Sequence, residues 1–207
     1  EAGISLGNAF EAKSGVMTGD DEHFLQGWYE VDFKKIGFGY KEESDIDPRH
    51  IWLPMNKEEG YRKWSGRYVT ILRYIDHGRN FDGVEGLNYR LRDKKLYFKP
   101  GISWGDVTAA SSSFRYQESG LVFAARAPTI FSTDQQLAAF LNSSVANYFR
   151  GLINPTLSFN LTDLYRLPLC ELTDDETLTA VRRLVDRLIV ITNDDWNDQE
   201  TSWGFKA

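Results

Sequence analysis

Three histidines, His23, His50 and His77, and a single cysteine, Cys170, are the side chains best suited to metal or nucleophilic chemistry, and they are isolated from one another in the sequence. Neither paired cysteines nor a His-Glu-x-x-His repeat is present, so no metal-ligand spacing exists. Cys170 stands beside Leu169 and has no cysteine to pair with, which reads as a small buried hydrophobe in a reducing, cytoplasmic setting. The acidic clusters Asp20-Asp21-Glu22 and Asp194-Asp195 offer carboxylates for acid/base or nuclease work, but such runs are ordinarily solvated faces. Gly37-Phe38-Gly39-Tyr40 lacks both the third glycine and the following capped helix of a phosphate cradle. The chain is therefore expected to carry no catalytic residue, no metal and no cofactor of its own.

Charge points elsewhere. The net charge of -6 hides an uneven distribution. Residues 1–56 carry 5 Lys/Arg against 11 Asp/Glu, residues 57–115 carry 12 against 7, and residues 116–207 carry 7 against 12. In the basic middle, Arg62, Lys63, Arg67, Arg73, Arg79, Arg90, Arg92, Lys94, Lys95 and Lys99 interleave with Tyr61, Trp64, Tyr68, Tyr74, Phe81, Tyr89, Tyr97 and Phe98. Such a mixture suits a surface that contacts phosphates and reads bases, because binding is decided by local field rather than total charge. Strands with an aromatic core face and a solvated basic face would look the same. Composition leaves both readings open.

The elements that must position these residues are legible in part. Phe24–Phe33, Tyr68–Tyr74 and Leu96–Lys99 read as strands, with turns at Asp82-Gly83, Glu85-Gly86 and Pro100-Gly101 and short apolar runs across 114–131. The period then becomes helical. Thr133 to Gln136 form a capping-box pattern, and Leu137, Phe140, Leu141, Val145, Tyr148, Phe149 and Leu152 recur at three and four, predicting one helix over 134–152. A second helix follows Thr173-Asp174-Asp175-Glu176, with Leu178, Val181, Leu184, Val185, Leu188 and Ile189 on one face, to pack on the domain or on a partner helix. The acidic tail after Asn193 has no periodicity and is expected to be extended or poorly ordered. The fold class is α+β: a twisted mixed or antiparallel sheet with a packed helix, followed by a C-terminal helix. Residues 1–170 are expected to form one domain and 171–207 an appended helix and tail. With 207 residues the chain can bury a sizeable core, and its apolar runs fall short of the roughly 20 residues of a membrane helix. Glu1-Ala2-Gly3-Ile4, without Met or a leader pattern, reads as a cut end.

Several segments form an ordered set of motifs. Thr18-Gly19-Asp20-Asp21-Glu22-His23-Phe24-Leu25 with Trp28 is similar to the pattern Thr-Gly-Asp-Asn-x-x-Phe-Leu-Arg-x-Trp. Asn56-Lys57-Glu58-Glu59-Gly60-Tyr61-Arg62-Lys63-Trp64-Ser65-Gly66 is similar to Asn-Lys-Gly-Gly-x-x-Arg-Lys-Trp-Tyr-Gly. Phe98 to Trp104, Phe114-Arg115-Tyr116, Gly120 to Phe123, Leu141-Asn142-Ser143, Asn154 to Phe159, Leu167-Pro168-Leu169 and Glu200 to Phe205 follow in order, and taken together these segments resemble the PglX-like adenine-specific DNA methyltransferases of BREX phage defence. Asn154-Pro155-Thr156 lacks the second proline and the tyrosine of the loop with which adenine methyltransferases hold a flipped base, and reads as a helix-terminal turn.

The resemblance implies a parent enzyme whose separate catalytic domain binds S-adenosylmethionine and methylates adenine N6 in a defined DNA sequence, in phage defence or restriction-modification. This segment would choose the sequence, as the C-terminal target-recognition region. Its implied partners are double-stranded DNA, the methyltransferase domain and other phage-defence proteins, with no membrane. Phosphate contacts set register and a few side chains read bases. Arg62, Lys63 and Arg67 are the first candidates for DNA contact, then Lys57, Lys99 and Arg115; Asn56 or Gln117 could read adenine. Trp28, Trp64 and Trp104 are expected to hold the fold. Asp21, Gln26 and Glu58-Glu59 stand where the family usually has Asn, Arg and Gly-Gly, which removes positive or neutral character there. The competing reading is a docking module of the same defence complex.

Overall fold

The computed structural model describes residues 5–57, 60–107, 113–169 and 172–206; Cys170 and Glu58-Glu59 lie outside the described residues. The α+β class expected from the sequence is what the chain adopts, with its strands shared between two four-stranded sheets. In the first, β1 (Ala12–Lys13), β8 (Thr129–Ile130), β5 (Gly101–Trp104) and β6 (Phe114–Gln117) are antiparallel neighbours in that order. In the second the order is β2 (Leu25–Gly27), β4 (Thr70–Arg73), β3 (Trp52–Asn56) and β7 (Val122–Phe123), antiparallel except that β3 and β7 run parallel.

Each sheet has its own core. Ile102, Trp104, Phe114 and Ile130 from the first sheet meet Leu6 of α1 (Leu6–Ala9), Leu137, Phe140 and Leu141 of α3 (Gln135–Leu141), Ala146 of α4 (Ser144–Ile153), Leu164 of α5 (Leu161–Tyr165) and Val185 of α6 (Asp175–Asn197). The second core is largely aromatic: Phe24, at the end of α2 (Asp21–Phe24), stacks on Phe81 with centroids 4.0 Å apart, beside Tyr74, Tyr97, Phe98 and Phe123. β5 is buried on both faces, Ile102 and Trp104 in the first core and the small Gly101 and Ser103 opposite. A Cβ on Gly101 would lie 2.4 Å from the Ile130 carbonyl oxygen, so only glycine permits that approach.

Four local expectations are corrected. The proposed strand Phe24–Phe33 is only Leu25–Gly27, because Trp28–Glu30 and Phe33–Lys35 coil into 3-10 turns. Leu96–Lys99 is no strand: Lys94–Leu96 is a 3-10 turn and Phe98 is left-handed (φ 65°), which turns its ring into the second core. The single helix over 134–152 is two. Asn142 faces β6, accepting from the Phe114 N–H (3.1 Å) and donating to its carbonyl (3.0 Å), and Ser143 then caps α4 by accepting from Ala146 N–H. Finally, the tail after Asn193 is folded: α6 runs to Asn197, Trp196 and Ser202 are buried, and Trp203 lies against Phe38 and Tyr68. Aromatic contacts hold it where hydrophobic periodicity is absent.

Candidate nucleic-acid interface

The basic station is built on the free edge of the first sheet. Trp64 N–H donates to Phe114 O (3.1 Å) and Tyr116 N–H to Trp64 O (2.7 Å), so residues 62–65 extend that sheet beyond β6. The chain then curls through left-handed Trp64, Gly66 and Arg67, and a Cβ on Gly66 would come within 2.9 Å of the Trp196 Cβ. This close approach brings α6 against the station. Arg62 spans the joint: its Nε donates to Ser65 O (3.0 Å), and one terminal nitrogen donates to Thr192 O (2.6 Å) and to the Asp195 carboxylate (2.8 Å). Its guanidinium also sits 5.9 Å from the centroid of the Trp196 ring. Lys63 Nζ donates to Asn142 O at 2.9 Å.

The candidate residues thus divide by accessibility. Asn56 and Gln117 are fully buried and bonded to each other, Asn56 Nδ2 donating to Gln117 Oε1 at 2.7 Å. Gln117 Nε2 donates in turn to Lys99 O (3.1 Å), so this pair ties β3 of one sheet to β6 of the other. Arg115 is 2% exposed. Arg62 and Lys63 are half-buried and engaged as above, whereas Arg67 and Lys99 are exposed, with no side-chain hydrogen bond or ion pair among the described residues. Three further cations of the basic run, Arg90, Arg92 and Lys95, are exposed and unpaired in the same sense, though sequence reasoning did not rank them. Nothing in residue type separates them from Arg62. Of the three tryptophans expected to hold the fold, Trp104 is buried and donates Nε1–H to Phe159 O (2.8 Å), while Trp28 and Trp64 are half-buried.

Two concave features adjoin this surface. A cavity of about 330 Å³ forms where Thr18 to Asp21 meet Lys57: Thr18 Oγ1 donates to Asp21, and Lys57 Nζ bonds the other Asp21 oxygen at 2.8 Å. Burial pushes the Asp21 carboxyl up, but the hydrogen bonds from Lys57 and Thr18 and the lysine's charge outweigh it and hold the group below the usual carboxylate range. Arg126 also lines this cavity, 3.7 Å from Asp106, whose carboxyl is raised by burial against the pull of that arginine. Arg90 is fixed at the Met17 wall by a reciprocal backbone pair of 2.7 and 3.0 Å. The second feature, a groove of about 580 Å³, lies between Tyr29, Arg62, Arg67, Val69, Trp196 near the end of α6, and Gln199 and Thr201 in the turns that follow it. Among the described residues no group of three or more His, Cys, Asp or Glu could hold a metal ion, and no helix is long and apolar enough to cross a membrane.

No protein-family model matches the chain. The adenine-specific methyltransferase PglX of Lacticaseibacillus casei (strain Zhang) is 31% identical to it over 212 residues, which covers 97% of this chain and 17% of that protein. The adenine-specific methyltransferase BrxX of Escherichia coli O9:H4 (strain HS) is 30% identical over 195 residues, 90% of this chain and 15% of its own length. The chain is homologous to a segment of the PglX-type adenine-specific methyltransferases. It spans less than a fifth of these relatives. The aspartate at position 21 has a local consequence: it ion-pairs Lys57, which takes up much of that cation's charge.

Proposed function

We propose that this segment selects the DNA sequence at which a PglX-type methyltransferase of phage defence modifies adenine N6. The supporting observation is the match to adenine-specific methyltransferases along nearly the whole chain, while less than a fifth of those proteins is covered. Catalysis and S-adenosylmethionine binding are assigned to the remainder of the parent. In this reading Arg67 and Lys99, with Arg90, Arg92 and Lys95, meet double-stranded DNA. Lys57, paired with Asp21, holds the surface in shape from behind together with Arg62, Lys63, Asn56 and Arg115. Exposed cations without an internal partner release counterions on meeting phosphate, which is the term that carries affinity. Base reading then falls to whichever of the arginines reaches a guanine edge. The setting is the cytoplasm, where the DNA is.

The experiment is a segment exchange. Residues 5–206 in the full-length methyltransferase are replaced by the matching segment of the Lacticaseibacillus casei relative, and N6-methyladenine motifs are mapped genome-wide in cells. The methylated motif should change to that of the segment's donor. An unchanged motif in an active chimera would place sequence choice elsewhere in the protein. A docking role for the same segment is favoured by α4, where Val145, Tyr148 and Leu152 are 50 to 68% exposed on one face with Leu157 beyond them. Tyr148→Ala with Leu152→Ala would then release the segment from its partner without altering the motif.

A further inference from the structure

We propose that the groove between Tyr29 and the end of α6 is a nucleotide subsite, which stacks one unpaired DNA base on Tyr29 and takes its phosphate on Arg67. This rests on the DNA-recognition reading above and names what that surface binds. Tyr29 is 60% exposed, yet its ring is held on two sides. It lies across Gly27, where a Cβ would fall 2.7 Å from the ring, and it meets the Trp28 ring edge-on with centroids 5.8 Å apart. Trp28 is itself anchored, its Nε1–H donating to Thr201 O at 2.8 Å. A fixed aromatic ring with a solvent-exposed face loses little entropy when a base stacks on it, and every base has a face to offer.

The anion site is next to the platform. Arg67 lines the same groove, is exposed, and has no side-chain hydrogen bond or ion pair among the described residues. Its backbone is left-handed (φ 68°), and its guanidinium lies 3.4 to 3.8 Å from the point where a Cβ on Gly60 would stand. Gln199 spends its Nε2–H on Asp195 O (3.3 Å), leaving its side-chain oxygen to accept from a base edge or sugar hydroxyl. A planar platform, a free fork of N–H donors and a neutral acceptor match a nucleotide. Two arginines in the wall disfavour a cationic ligand.

The test titrates the chain at low salt against a short fluorescein-labelled DNA single strand and the matching duplex, comparing wild type with Tyr29→Ala, Tyr29→Phe and Arg67→Ala after circular dichroism confirms folding. Tyr29→Ala should weaken single-strand binding by about 5- to 100-fold, with Tyr29→Phe restoring it to within about twofold. Arg67→Ala should weaken both DNAs and lower the slope of log affinity against log salt by about one. Wild-type binding that neither Tyr29→Ala nor Arg67→Ala alters would overturn the subsite and leave DNA recognition standing. Binding of neither DNA by wild type would remove both.

Discussion

Arg62 and Arg67 lie five positions apart in one basic run, and the structure assigns them opposite consequences on mutation. Replacing Arg62 with alanine removes two charge-assisted hydrogen bonds to backbone carbonyls, at Ser65 and Thr192, together with the Asp195 ion pair and the contact over Trp196. The ion pair adds little, because the Asp195 side chain is 64% exposed and screened by solvent. The carbonyl bonds and the cation–π contact carry most of the loss, about 2 to 4 kcal/mol in all. For a chain of this size that is a fall in Tm of roughly 5 to 15 °C, read by calorimetry or circular dichroism. Arg62→Lys should not rescue it, since an ammonium cannot reproduce the planar fork that reaches all three acceptors. Arg67→Ala, which removes an exposed side chain without a partner, should change stability by no more than about 0.5 kcal/mol. A Tm for Arg62→Ala within about 2 °C of wild type would refute the clamp, being less than half the smallest fall expected from these contacts.

Two further perturbations test other joints of the fold. Asn142→Leu should cost about 2 to 3 kcal/mol in urea unfolding, because Phe114 N–H loses its acceptor in a buried setting. Ser143→Ala, which removes only the α4 cap, should cost about 1 kcal/mol; equal losses would mean that the break between α3 and α4 is not made by Asn142. The Asp21–Lys57 pair gives a pH dependence. Because the folded carboxyl titrates below its unfolded value, its stabilisation is complete above the ordinary carboxylate range and is lost as pH falls through the lowered folded value. Asp21→Asn should therefore be less stable than wild type near neutral pH, with the two converging in strong acid. A difference that persists in acid would exclude the ion pair as its source.

Much of the helical half was legible in the sequence, for a local reason. Helical spacing and capping residues are written within a few positions, so the starts of α3 and α6 were foreseeable to within a few residues. The caps are Asp134 and Asp174, each one residue after the threonine that opens the capping-box pattern. The break at Asn142 was not legible, because the partner that draws its side chain out of the helix is Phe114, 28 residues away. The β half was harder still. Several of its strands are two or three residues long, too short for alternation to register, and the two sheets are joined through Asn56 and Gln117, 61 residues apart. The family resemblance and the basic middle segment needed only the order of residues. Which cations face solvent and which are consumed inside was decided by tertiary structure alone, since Arg62 differs from Arg67 only in what the curl at Gly66 brings against it. Residue type determines that a guanidinium carries charge and five donors; the fold determines whether α6 or solvent receives them.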